Sequence, residues 1–265
     1  MSCKTDFQDV TEISGDMVTP EQVSHICTRY YWAGSYCQDK DVLEAACGAG
    51  QGLGYLHSLA KSLRAGDYSG VILDIARNHY KDRIPLLRFD AQDMPFADQS
   101  FDVVILFEAI YYLEDVLKFI SECKRVLRRG GTILIATANK DLYDFNPSPY
   151  SIKYFGVMEL RSLLEENGFS CEFFGCTPVT RVSFRQRLFR PMKKLAVALH
   201  LIPKTMKGKQ FLKRIVFGKL VHMPQEIGAE TTAYVPPTPI PDDREDRVHK
   251  VIFCAAKLAQ YCRRD

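Results

Sequence analysis

Glu44-Ala45-Ala46-Cys47-Gly48-Ala49-Gly50-Gln51-Gly52 follows directly on the short apolar run Asp41-Val42-Leu43, and its reading decides the fold. A strand here hands over to a helix through a cluster of glycines. Glycines at such a junction let the backbone approach a ligand closely, and the helix start offers free N–H groups. A dinucleotide site would need G-x-G-x-x-G. Counting from Gly48 the third glycine falls on Leu53, and from Gly50 on Tyr55. Both registers fail. A phosphate-binding P-loop fails too, because no Gly-Lys-Ser/Thr follows.

Outward from this junction, strands and helices alternate. Toward the N-terminus, Thr19-Pro20-Glu21 reads as an N-cap with proline at the first helical position, and predicts a capping helix over residues 19–38. Toward the C-terminus, a helix is expected to about residue 63 and a second strand at Val71-Ile72-Leu73-Asp74. A third strand is expected over residues 84–89. Phe101-Asp102-Val103-Val104-Ile105-Leu106-Phe107 reads as a strand buried on both faces. A helix over 114–127 is stopped by Arg128-Arg129-Gly130-Gly131, and a fifth strand spans 132–137. A helix over 156–167 and a strand over 170–175 follow, with a last strand at 248–257. Such alternation predicts an α/β, doubly wound, mainly parallel sheet in a single domain over 1–265. Residues 177–247 are too long for an ordinary loop and read as an insertion before the last strand.

Taken together, these blocks resemble the class I S-adenosylmethionine-dependent methyltransferases. The family's glycine motif, an acid, three residues and G-x-G-x-G, is matched by Glu44, Gly48, Gly50 and Gly52. Asp90-Ala91-Gln92-Asp93-Met94-Pro95-Phe96 is similar to the family's D-A-x-x-L-P-F segment. Phe107-Glu108-Ala109-Ile110-Tyr111-Tyr112-Leu113 resembles the block after its fourth strand. The resemblance implies a Rossmann-like, seven-stranded sheet whose last strand is antiparallel, and S-adenosyl-L-methionine as cofactor. It places Tyr30, Glu44, Ala46, Gly48, Gly50, Asp74, Ile75, Asp90, Ala91 and Phe107 around that cofactor. Asp74, as the acid ending the second strand, would accept both ribose hydroxyls, since a carboxylate suits a cis-diol. Asp90 would accept from the adenine amino group, with the Ala91 amide facing the ring. Arg29 or Tyr30, on the capping helix, would hold the methionine carboxylate, unless those aromatics simply pack on the sheet.

The acceptor is harder to read. Asn146-Pro147-Ser148-Pro149-Tyr150 invites comparison with the N-P-P-Y motif of base-amino methyltransferases, but it follows the fifth strand rather than the fourth. Residues 146–169 instead resemble methyltransferases of polysaccharide and sugar-modifying gene clusters. Some of these carry a histidine where this chain has Ser151. The expected activity is therefore O-methylation of a sugar, nucleotide sugar or lipid-linked glycan. N- or C-methylation of another metabolite, a non-catalytic cofactor-binding role and an NAD-type oxidoreductase stand as alternatives. A hydroxyl needs a base or a metal to react. Tyr111, Glu108 and His222 are the candidate bases, each more readily read as packing or surface, and no metal is expected because no cluster has metal-ligand spacing.

Composition adds one clue. The fractions, 46% hydrophobic and 25% charged, are those of a globular chain. The net charge of +3 conceals two unlike parts. Residues 175–225 contain 12 Lys and Arg and no acid, leaving 23 basic against 32 acidic residues elsewhere. Phe184, Leu188, Met192, Leu195, Leu199 and Ile202 recur at helical spacing in this stretch, interrupted by Pro191. Three readings compete: a lid with a solvated basic face, a surface for an anionic or lipid-linked acceptor, and a peripheral membrane contact through 181–220. Nucleic acid is not expected, because the acidic body would repel it. Nine cysteines without a CxxC pair read as reduced thiols of a cytoplasmic protein, membrane-peripheral if the third reading holds.

Overall fold

The computed structural model describes residue 11 and residues 13–179 and 220–259. Its centre is β5 (Phe101–Phe107), whose side chains alternate between two apolar layers. Val103, Ile105 and Phe107 enter one layer; Val104 and Leu106 enter the other. Both layers must be covered, so helices lie on each face. One face carries α1 (Pro20–Cys37), α2 (Leu53–Leu59) and α3 (Gly70–Tyr80); the other carries α4 (Val116–Val126) and α5 (Val157–Glu166).

The remaining strands of the sheet are β2 (Asp41–Ala45), β3 (Ser62–Asp67), β4 (Leu86–Arg88), β6 (Leu127–Ala138), β7 (Phe169–Pro178), β9 (Thr238–Pro239) and β10 (His249–Leu258). Their order is β4-β3-β2-β5-β6-β10-β7-β9. β4 through β6 pair in parallel, while β10 runs antiparallel between β6 and β7. The expected Rossmann-like seven-stranded sheet is therefore present, with the two-residue β9 added at its edge. A separate ribbon joins β1 (Met17–Val18) to β8 (Val221–His222).

The capping helix forms for the reason its sequence suggests. The Thr19 side chain accepts from the Gln22 N–H, the Gln22 side chain returns to the Thr19 N–H, and Pro20 occupies the first turn. Trp32 then ties α1 to the sheet through ring contacts with Phe253, Phe174 and Phe107, at centroid distances of 5.0, 5.8 and 6.4 Å.

One strand was misplaced by the sequence reading. Val71-Ile72-Leu73-Asp74 belongs to α3, not to the second strand. Ser69 caps this helix by accepting from the Ile72 N–H, and Ile72, Leu73, Ala76 and Tyr80 are buried at helical spacing. The second strand in chain order within the main sheet is β3, at Ser62-Leu63-Arg64-Ala65-Gly66-Asp67, where α2 has already ended at Leu59. Of the expected insertion, residues 180–219 lie outside the described residues, and with them the lid, anion and membrane readings of the basic stretch. The described flanks, 177–179 and 220–247, carry β8 and β9. Among the described residues no helix is long and apolar enough to cross a membrane, and every described cysteine is free.

The fully buried Phe119 anchors α4 in its layer. Phe119→Ala should lower the unfolding free energy by about 3–5 kcal/mol in urea titrations. Leu117→Ala, on the same helix but 56% exposed, should stay within about 0.5 kcal/mol of the native value.

Candidate functional site

A cavity of about 970 Å³ opens where β2, β3 and β5 end, roofed by α1. That edge is where open α/β sheets bind ligands. Its volume lies at the top of the roughly 300–1,000 Å³ that one drug-sized ligand takes, so two ligands can share it.

The glycine loop forms one wall. Ala46 leaves β2 with φ +58°, and Gly48 and Gly50 follow at +59° and +81°. These left-handed turns favour glycine. A Cβ on Gly50 would stand 3.0 Å from Ala76 Cβ and from the Tyr80 ring. Tyr80 braces the loop, donating its O–H to the Gly50 carbonyl (2.7 Å) and accepting from the Gly54 N–H (3.1 Å). A Cβ on Gly52 would overlap the Tyr30 ring.

Glu44 lies at the floor, 1% exposed. Tyr30 donates its O–H to Glu44 Oε1 at 2.7 Å. The other oxygen, Oε2, is buried without a partner among the described residues, and so is Arg29 Nε. Burial pushes the Glu44 carboxyl up to about 8; the Tyr30 hydrogen bond and Arg29 oppose this rise, and Asp67 adds to it. Arg29 reaches across to Glu108, with Nη1 3.7 Å from Oε1. Glu108 itself leaves β5 with φ +51°, a conformation few non-glycine residues adopt. It also accepts from the Tyr111 O–H at 3.1 Å, and Tyr111 stacks on Tyr154 at 4.2 Å. Burial holds the Tyr111 phenol well above its ordinary range, with Glu108 adding to the rise.

The structure brings Tyr30, Glu44, Ala46, Gly48, Asp90, Ala91, Phe107, Glu108 and Tyr111 to the cavity wall. Gly50 shapes the loop behind it. Asp74 and Ile75 are elsewhere: both lie on α3, away from the cavity, and Asp74 points to solvent beside Arg77. The acid ending the strand after the glycine loop is Asp67, and Tyr68 follows it into the cavity. Asp67 accepts from the Gly48 N–H at 2.9 Å and the Ser69 N–H at 2.8 Å. Such amide bonds leave part of a carboxylate's acceptor capacity open. His222 lies on the β1–β8 ribbon, exposed, its Nδ1 3.1 Å from the Gly15 carbonyl, and does not line the cavity.

At the far end of the cavity the sequence points to Arg29 but not to its neighbours. Gln22, His25, Ile26 and Arg29 form one stripe of α1 along it, at the i, i+3, i+4, i+7 spacing that could have exposed them. Cys176 and Val251 close this end from β7 and β10. Beside the glycine loop, the chain returning from the basic stretch is clamped. Glu226 pairs with His79 on α3 (2.7 Å) and with Arg83 just beyond its end, and the Ile227 N–H donates to the Gln51 carbonyl at 2.8 Å.

Comparison with known proteins agrees with this geometry. Residues 43–135 match the family described as "Methyltransferase domain". A Mycolicibacterium smegmatis protein named "Probable S-adenosylmethionine-dependent methyltransferase" is 35% identical over 140 residues, 51% of this chain and 54% of that protein. A phthiotriol/phenolphthiotriol dimycocerosates methyltransferase of Mycobacterium ulcerans is 39% identical over 101 residues, 36% of each chain. The chain thus spans about half, or less, of the length of these relatives. In fold it is similar to YcgJ of Bacillus subtilis, with a TM-score of 0.57 at 16% identity, covering 89% of this chain and 99% of that one. The cofactor shared by such domains is S-adenosyl-L-methionine. With its glycine loop and acids set at the ends of β2 and β3, the segment 43–135 is thus similar to the methyltransferase domains of S-adenosylmethionine-dependent relatives.

Proposed function

We propose that the protein transfers the methyl group of S-adenosyl-L-methionine to a hydroxyl of a neutral, polyhydroxylated acceptor such as a sugar. The observation that carries the first half is the orphaned Glu44 Oε2, buried beside the Gly48–Gly50 cradle and facing the same cavity as Asp67. A buried carboxylate oxygen without a donor is costly unless a ligand supplies one. The cofactor carries an ammonium, a sulfonium and a ribose diol, and Glu44 and Asp67 are the matching acceptors. Asp90 and Ala91 would hold its base, and Arg29 its carboxylate.

For the acceptor, the walls beyond Glu108 supply the argument. Tyr111, Tyr112, Tyr150 and Ile152 offer flat apolar faces, and Glu108 and Glu114 offer hydrogen-bond acceptors. Acids outnumber Arg29 around the cavity, so a neutral polyol is favoured there over an anion. Methyl transfer from a sulfonium is an in-line displacement, helped chiefly by positioning and exclusion of water. A lipid-linked acceptor is a second reading. Tyr143 and Ile152 are exposed large hydrophobics, Ile152 at the cavity wall, and one of the relatives above bears the name of a lipid methyltransferase.

Isothermal titration with S-adenosyl-L-methionine tests the cofactor half. Asp67→Ala and Glu44→Ala should each weaken binding about 10–100-fold, the value of a hydrogen bond to a charged group. Asp74→Ala should leave it within about twofold. No heat from the native protein overturns the reading.

Glu44 also makes stability depend on pH. Its carboxyl holds a proton more tightly in the folded protein than in the unfolded chain, so its stabilising effect is complete below the ordinary glutamate range. That effect is lost as pH rises through about 8. The melting temperature without added ligand should therefore fall between pH 5 and 8.5, and Glu44→Gln should flatten the fall. Affinity for the cationic cofactor should rise over the same interval.

A further inference from the structure

The far end of the cavity holds a group that the cofactor does not account for. His25 lies on α1 one turn before Arg29, about 6 Å along the helix, and both face the cavity. Arg29 bridges to Glu108, so His25 sits one turn beyond the wall where the acceptor meets the cofactor. Its Nε2 is 2.8 Å from Thr177 Oγ1 and 3.6 Å from Glu21 Oε1; Glu21 is held in turn by Lys250 Nζ at 2.7 Å. Thr177 leaves the β7 ladder with φ +57°. A β-branched residue keeps that conformation only where its surroundings over-determine it, and such positions gather at functional sites. Here its hydroxyl is fixed between His25 and Cys176 Sγ, 3.6 Å away.

We propose that His25, oriented by Thr177, accepts the proton of the methylated hydroxyl. This rests on the hydroxyl-acceptor reading above. As the acceptor oxygen bonds to the methyl carbon, the carbon–sulfur bond breaks, its electron pair stays on sulfur, and the hydroxyl proton passes to an imidazole nitrogen of His25. The groups that sequence reasoning offered fit the task less well. Tyr111 is a donor to Glu108 and its phenol is held well above its ordinary range by burial. Glu108 is already engaged by Arg29 and Tyr111, and His222 is outside the cavity.

The surroundings of His25 keep it uncharged. Burial lowers its pKa to about 4, Glu21 opposes the shift, and Lys250 and Arg29 add to it. Cys176 and Thr177 face it from β7. A neutral imidazole with an available lone pair therefore persists across the physiological range, and the sulfonium leaving group supplies the driving force that a weak base lacks.

The test has two arms on the full chain. In the first, imidazole nitrogen–proton correlation spectra of ¹⁵N-histidine-labelled protein with S-adenosylhomocysteine are followed from pH 4 to 8. One of the six histidines, missing in His25→Asn, should stay neutral to about pH 5; an imidazole of His25 that remains charged through pH 8 overturns the proposal. In the second, transfer of label from S-adenosyl-L-methionine to methyl hexosides and short hexose oligomers is measured. His25→Asn should lose about 100-fold in kcat with the cofactor Kd within about twofold, in line with lost general-base catalysis. Thr177→Val should lose about tenfold and move the acid limb of the pH profile. Undiminished turnover in His25→Asn overturns the proposal and leaves the methyltransferase reading standing. No transfer by the native protein overturns the acceptor class on which the proposal depends.

Discussion

The hydrogen bond from Tyr30 to Glu44 joins the two parts of the molecule that must meet for a site to exist. Tyr30 belongs to the capping helix and Glu44 to the strand before the glycine loop. Because the bond is buried, it cannot be exchanged for water without leaving both partners unsatisfied. It fixes the height of α1 over the sheet and thereby the depth of the cavity. Gly52 is glycine for the same reason, since the Tyr30 ring occupies the space a side chain would need. Only one of the two Glu44 oxygens is used in this joint. The other is left facing the place where a ligand would complete it.

From that joint the chemistry spreads in two directions along α1. Toward Asp67, Tyr68 and Ala91 the walls suit a nucleoside: a carboxylate fixed by backbone amides, and small residues beneath a planar ring. Toward Glu108, Tyr111 and His25 they suit a second molecule. Arg29 stands between the two halves. Its bridge to Glu108 ties the two ends of the cavity together with one side chain, so any shift of α1 reaches both ends at once. Positioning at this scale is what an in-line displacement depends on.

What could be read from the residues follows from how local each cause is. The glycine loop was legible because its requirement is a backbone angle, which only residue type can satisfy. The buried strand at Phe101–Phe107 was legible because a continuous apolar run of that length has few other uses. Ser62–Asp67 was not, because Arg64 and Ser62 lie on the solvated side of a strand that is nonetheless internal. The more apolar Val71-Ile72-Leu73 outcompetes it as a strand candidate, which puts Asp74 in the strand-end position that Asp67 occupies. Local propensity lost here to tertiary context. His25 and Thr177 are 152 residues apart; no pattern within either segment announces their meeting, which the antiparallel β10 arranges by bringing β7 alongside.

That same strand governs when the protein can become itself. β10 is flanked on both sides, pairing from Val251 to Lys257 with β6 and from His249 to Leu258 with β7. During synthesis, β7 must wait more than seventy residues for the partner that attaches it to the sheet. Until then its ladder groups and the facing edge of β6 are open, the kind of unpaired edge that invites association with other chains. In chain order, Asp67, Tyr68 and Ala91 at one end of the cavity are made well before the last strand, whereas Val251 at the other end comes with it.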